Sequence, residues 1–294
     1  MYDIKLQQNS NILEIENSKN KLYAKIHLND GASLQELTLN GHAIIQNLAP
    51  LTYDITYASS ILFPFANRIK DGVYTYEERD FQFETNQQEE NNALHGLVFN
   101  KTFKVLKQKA DNNSATITLE YVENNESKGF PYTYSIQLTY MFTQDAVSLN
   151  FIVKNTDSKP FPFTVGWHPY FLSENLHESS LSFDSTEKLI IGDRNITTGI
   201  ENIKPIETFQ IKDQQLDDCW ILKSNQIKFN TPKYQLTIDA SEENNFMQLF
   251  TPPKVNAIAI EPTTGVSDSF NNKIGLQVLK SNHSYDITWS LKIN

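Results

Sequence analysis

Four short stretches combine side chains that exchange protons or hydrogen-bond with residues that fix the backbone. "FPFANRIKDGVY" places Asn67 and Arg68 between an apolar segment and an Asp71-Gly72 turn. "NNALHGLVF" has His95 followed at once by Gly96. "VGWHPYF" ends a strand-like run on Trp167, His168 and Pro169, and "AIAIEPTTGVSDSF" sets Glu261 between an apolar run and Pro262. Carboxylates and imidazoles are among the groups used for general acid–base work near neutral pH. Each position also has an ordinary explanation. Arg68 could be a solvated charge or a salt-bridge partner, His95 a cap on its own loop, and Glu261 the first exposed residue after a strand. His27, on the outward face of a strand, and His42, after an Asn-Gly turn, have no motif around them. The same holds for His177 and His283, in polar loops.

The elements that must hold these groups are strands. In "KLYAKIHL", Leu22, Ala24, Ile26 and Leu28 share one face, with Tyr23, Lys25 and His27 on the other. Ile136, Leu138, Tyr140 and Phe142 line one face of "SIQLTYMF"; after the turn "TQDA", Val147, Leu149, Phe151 and Val153 do the same. That pair reads as a β-hairpin. "ATITLEYV", "YQLTIDA" and "YDITWSLKI" alternate likewise, and no stretch sustains helical spacing. Short strands separated by Asn, Asp, Gly and Pro turns predict an all-β fold, an antiparallel sandwich. No repeat, low-complexity linker or shift in composition marks a boundary, so residues 1–294 read as one domain. "ENNESKGFPY" and "DSTEKLIIGDRNITTGIENIKP" are expected to be long loops, the second a cover for a site.

Bulk composition narrows the function. The 294 residues are 39% hydrophobic and 20% charged, a globular balance. Against 35 acidic residues stand 25 basic ones, a net charge of -10. A chain so acidic is a poor partner for nucleic acid or an anionic membrane surface, although one local basic pocket could still take a small phosphate. Cys219 is the sole cysteine, which excludes an intrachain disulfide and fits a reducing cytoplasm. No signal-peptide pattern opens the sequence and no apolar run approaches the ~18 residues of a membrane span, so the expected location is cytoplasmic.

In the same order along the chain, "NRIKDGVY", "NNALHG", "GWHPYF" and "IAIEPTTGVSDSFN" resemble the signature segments of the aldose 1-epimerase (galactose mutarotase-like) family. The ending "GLQVLKSNHSYDITWSLKI" resembles its final strands, so the likeness runs from about Gly31 to Ile293. The resemblance implies a large antiparallel β-sandwich, the galactose mutarotase-like supersandwich, with a sugar site in a groove on one sheet. It makes Glu261 the catalytic base and His168 the general acid. Arg68 and His95 contact the sugar, and Asn67 beside Arg68 is grouped with them. An aspartate three residues before an aromatic corresponds to Asp217 in "LDDCW", with Asp218 as its neighbouring alternative. Trp167 either stacks on the apolar face of the sugar or belongs to the core, since neighbouring strand residues face opposite ways.

The chemistry suits those residue types. Interconverting α- and β-anomers requires a base for the C1 hydroxyl proton and an acid for the ring oxygen, with the roles reversed on closure. Burial would raise the pKa of Glu261, and a nearby carboxylate would favour protonated His168. Neither metal nor organic cofactor is called for, and the expected partner is a small sugar, with the protein a monomer or homodimer. Leu97 stands where galactose mutarotases commonly carry a second glycine, Leu172-Ser173 where Asn-Leu is usual, and Trp167 where a smaller polar residue is usual. The chain therefore looks closer to the broader bacterial branch than to the galactose enzymes. Two other functions stay open: a hexose-6-phosphate mutarotase, with Lys70 or Arg194 taking the phosphate, and a carbohydrate-binding or sensing module without turnover. The acid–base pair discriminates, because a binding module has no need of both members.

Overall fold

Alternating apolar residues build two large antiparallel sheets. The computed structural model describes residues 1–125, 127–243, 245–253 and 256–294. The first sheet has nine strands, in the order Lys104–Ala110, Ala115–Glu123, Tyr134–Phe142, Ala146–Asn155, Ser284–Ile293, Gln235–Ala240, Gln226–Asn230, Ser180–Ser182 and Phe209–Gln210. Its hairpin Tyr134–Phe142/Ala146–Asn155 buries the faces expected from the period of two, with Leu138 opposite Phe151 and Tyr140 opposite Leu149. An N-terminal meander of five strands, Asp3–Gln7 to His42–Ile45, adds Leu22, Ala24, Ile26 and Leu28 to the same core.

The second large sheet carries the strands that matter for function. Its order is Thr197–Asn202, Glu187–Ile191, Asp217–Ile221, Phe246–Phe250, Ala257–Thr263, Gly166–Trp167 and Ile61–Leu62, with Tyr170–Leu172 also paired to Ala257–Thr263. Aromatic rings join the inner faces of the two sheets: Trp167 stacks on Trp289 with centroids 6.3 Å apart, and Phe171 meets Phe229. The strand Ala257–Thr263 is buried on both faces. Ile258 and Ile260 enter the sandwich core, while Ala257 and Ala259 pack under Leu48, Leu51 and Ala58 of a covering segment.

The segment "ENNESKGFPY" connects two strands of the nine-stranded sheet as a loop; its Glu126 lies outside the described residues. The expected second long loop is instead a β-hairpin. Glu187–Ile191 pairs with Thr197–Asn202, because Leu189 packs with Val266 and Phe246 and gives the pair an anchored face. Among the described residues the two α-helices, Tyr53–Thr56 and Ser269–Asn272, are single turns, and no helix is long and apolar enough to cross a membrane.

Candidate active site

Sheet register lays out the floor of the site. Residues directly opposite one another on antiparallel strands share a face. Asp217 lies opposite Phe250, Phe250 opposite Ala259, and Ala259 opposite Tyr170, which makes one row. The next row runs Cys219, Gln248, Glu261. These rows lie on the face away from the sandwich core: the first packs under the covering segment, Cys219 of the second packs with Leu189, Phe246 and Val266, and Glu261 is only 2% exposed. Gln248 Nε2 donates to Asp217 Oδ1 at 2.7 Å.

The wall comes from three backbone segments pinned to one another. His168 N–H donates to the Ser60 carbonyl, and Ser59 N–H donates to the His168 carbonyl, so the residue is held from both sides. The imidazole then points across the floor, with Nε2 3.4 Å from Glu261 Oε1. Its ring stacks on Tyr170 and meets His95 edge-on, with both centroid separations near 5 Å. His95 N–H donates to the Asn67 carbonyl, and both residues adopt positive φ. Gly96 fixes that turn: at φ 75° it bridges Phe63 so closely that a Cβ would overlap the Phe63 carbonyl. Arg68, on the short strand Arg68–Lys70, donates through Nη1 to Asn67 Oδ1 at 2.9 Å and lies 3.8 Å from Asp217 through Nη2. Together these groups line a cavity of about 180 Å³. At about 30 Å³ per water, that is room for some six waters.

Burial dominates the electrostatics. It lowers His168 to about 3, with the Arg68 charge acting in the same direction. Burial raises Glu261 well above the usual carboxylate range, reinforced by the charge of Asp217, and it raises Asp217 as well. His95 is lowered well below the ordinary imidazole value by burial, then by His168 and Arg68. The neighbouring carboxylate therefore does not hold His168 protonated, contrary to the sequence expectation. Desolvation thus favours the neutral form of each partner in the free protein, because two neutral groups cost less to bury than two ions.

Asn67, Arg68, His95, His168, Asp217 and Glu261 are thus brought to one cavity from distant parts of the chain. Asp218 faces away and pairs with Lys188 at 2.6 Å, which separates it from Asp217. Trp167 is corrected: it is a core residue 1% exposed and stacked on Trp289, because it lies on the opposite face of its strand from His168. The cavity is also lined by Tyr57, Tyr170, Phe250, Gln87 and Gln248, which are among the residues that sequence reading missed. Tyr170 follows His168 by two positions, and Gln248 is a polar residue inside the buried run "FMQLF"; both were readable signals. Lys70 is exposed and Arg194 is engaged elsewhere, so among the described lining residues Arg68 is the one fixed cation. A larger recess of about 590 Å³ beside His177, Lys212 and Asp213 has only solvent-exposed titratable groups. Among the described residues no group of three His, Cys, Asp or Glu is arranged to hold a metal ion.

Comparison with known proteins agrees with this architecture. The family profile described as aldose 1-epimerase matches residues 12–292. The uncharacterized protein YihR of Escherichia coli K12 is 20% identical over 273 residues, covering 89% of this chain and 87% of that protein. A galactose mutarotase-like protein from Clostridium acetobutylicum superposes with a TM-score of 0.86 at 19% identity, over 100% of this chain and 98% of that one. The galactose 1-epimerase of Lactobacillus acidophilus superposes at 0.79 with 17% identity, over 100% and 98%. Motif order, β-sandwich and family match coincide over nearly the whole chain, which belongs to the aldose 1-epimerase family.

Proposed function

We propose that the protein is a cofactor-independent mutarotase that interconverts the anomers of a free, unphosphorylated aldose. The observation that carries this reading is the buried pair His168 Nε2–Glu261 Oε1 at 3.4 Å on the cavity floor. When sugar binds, its hydroxyls supply hydrogen bonds that favour the charged tautomer, Glu261 carboxylate with His168 imidazolium. The carboxylate takes the proton of the C1 hydroxyl as the imidazolium gives one to the ring oxygen. The C1–O5 bond breaks and C1=O1 forms. The pair now stands as carboxylic acid and neutral imidazole, the tautomer that burial favours, so the open-chain aldehyde meets a relaxed site. After rotation about C1–C2, closure on the other face returns both protons.

The other side chains bind and orient. Arg68 and His95 stabilise the sugar and the charge that develops on its ring oxygen. Asp217, aligned by Gln248, accepts from a ring hydroxyl, Asn67 holds the Arg68 guanidinium, and Tyr170 with Phe250 receives the apolar face of the ring. A phosphate would enter beside Asp217 and Glu261 with Arg68 as the one fixed cation among the described lining residues, and this favours a neutral substrate. Polarimetry on freshly dissolved glucose, galactose, xylose and glucose 6-phosphate tests the proposal. Faster mutarotation of at least one free sugar is expected; acceleration of the phosphosugar alone would replace this reading with a hexose-6-phosphate mutarotase.

A further inference from the structure

Arg194 sits at the tip of the hairpin Glu187–Ile191/Thr197–Asn202, outside the cavity lining, and its contacts are those of a clasp. Its Nε donates to the Glu90 carbonyl at 2.6 Å, and its Nη2 reaches the Asn91 carbonyl, Asn92 Oδ1 and Asp71 Oδ1 at 2.8–2.9 Å. Asn92 returns a bond to the Arg194 carbonyl. Arg194 and Asn195 both lie at positive φ, a backbone that residues with a Cβ adopt at a cost. The strained tip is held by what it grips.

Arg194 holds Glu90 by its main-chain carbonyl, and Asn195 beside it reaches the Glu90 carboxylate that lies behind Arg68. Asn195 Nδ2 donates to Glu90 Oε1 at 2.8 Å, while Glu90 Oε2 lies 3.2 Å from Arg68 Nε. Gln87 Oε1, itself bonded by Asn92, accepts from the same Nε. A guanidinium is a planar fork, so fixing its Nε edge fixes the direction of the Nη donors. One Nη1 donor goes to Asn67, and the remaining Nη donors are left toward the cavity. We propose that Arg194 is a positioning residue, which through Glu90 aims the Nη edge of Arg68 at the bound sugar.

This inference rests on the sugar-binding role given to Arg68, and the experiment separates the two. The Nε–H signal of Arg68 is identified by NMR from its loss in Arg68→Ala. It is then followed in Arg194→Ala and in Asn195→Gly, which suits the positive φ and removes only the side-chain bond. Anomerisation is measured for Arg194→Ala, Arg68→Ala and the double variant. The expected results are a shifted or broadened Arg68 signal and a loss of about tenfold in kcat/KM for Arg194→Ala. That loss should vanish when Arg68 is already alanine. An unchanged Arg68 signal, or equal losses with and without Arg68, overturns the proposal. If Arg194→Ala does not fold, Asn195→Gly carries both readouts with the same criteria. A wild-type protein that neither binds nor anomerises sugar ends the mutarotase reading, while the Arg68 signal still decides whether the clasp exists.

Discussion

The neutral His168 has a thermodynamic signature that is independent of catalysis. Its folded pKa is lowered to about 3, chiefly by burial, and Glu261→Gln leaves that burial in place. In the unfolded chain histidine titrates near 6.5. As pH falls below that value the unfolded chain takes up a proton that the folded one refuses until about 3. The stability contributed by His168 is therefore complete above pH 6.5 and is lost as pH falls. The slope is about 1.4 kcal/mol per pH unit, which amounts to about 2 kcal/mol between pH 7.5 and pH 5. Glu261 works in the opposite sense: its raised pKa gives stability that is fully present below 4.5 and is lost as pH rises. The clean comparison is accordingly Glu261→Gln against the double variant Glu261→Gln/His168→Asn, in which the carboxylate is silent and the burial that dominates the His95 shift is common to both. Urea unfolding followed by tryptophan fluorescence at about pH 7.5 and about pH 5 should show the single variant losing about 2 kcal/mol more than the double one. Parallel losses would mean that His168 is already protonated in the fold, and the account of a buried neutral imidazole would be wrong.

Three further outcomes follow from the same geometry. Arg68→Ala removes hydrogen bonds from a charged donor, each worth about 1.5–3 kcal/mol. It should lower kcat/KM by roughly 10- to 150-fold without abolishing it, as read by polarimetry. Trp167→Phe trims a side chain stacked on Trp289 in the core, so denaturation should show a loss of about 1–3 kcal/mol while sugar affinity stays at wild type; a loss of affinity would return Trp167 to the site. In the wild-type pH–rate profile the acid limb should lie well below 6.5, because His168 takes up a proton only at about 3. Activity falling through pH 6.5 would contradict the order of protonation.

Much of this architecture was legible along the chain, for reasons that also mark the limits. Strands such as Tyr134–Phe142 announce themselves because one face is buried and the other is wet. The strand under the site does not: Ala257–Thr263 is covered on both faces, with the distant residues Leu48, Leu51 and Ala58 over Ala257 and Ala259 and the His168 imidazole beside Glu261. No local pattern reports that cover, so an exposed Glu261 was as readable as a buried one. Gln248 enters the site by cross-strand register with Glu261, a relation fixed only when the strands pair. Trp167 and His168 are adjacent in sequence and opposite in space, and alternation alone could not say which one turned inward. The run Leu189, Ile190, Ile191 was hidden among polar residues, and with it went the hairpin whose tip carries Arg194.

The assignment of proton transfer to Glu261 is most directly tested by Glu261→Gln. The substitution keeps size and hydrogen bonding but cannot accept the C1 hydroxyl proton. Anomerisation is measured by polarimetry or NMR exchange, beside calorimetric binding of a non-reacting sugar analogue. A turnover loss of about 10²–10⁴-fold with analogue affinity little changed is the predicted result, and His168→Asn should add little to it. A folded Glu261→Gln protein that anomerises its sugar at the wild-type rate would contradict the account and leave carbohydrate binding without catalysis by this pair.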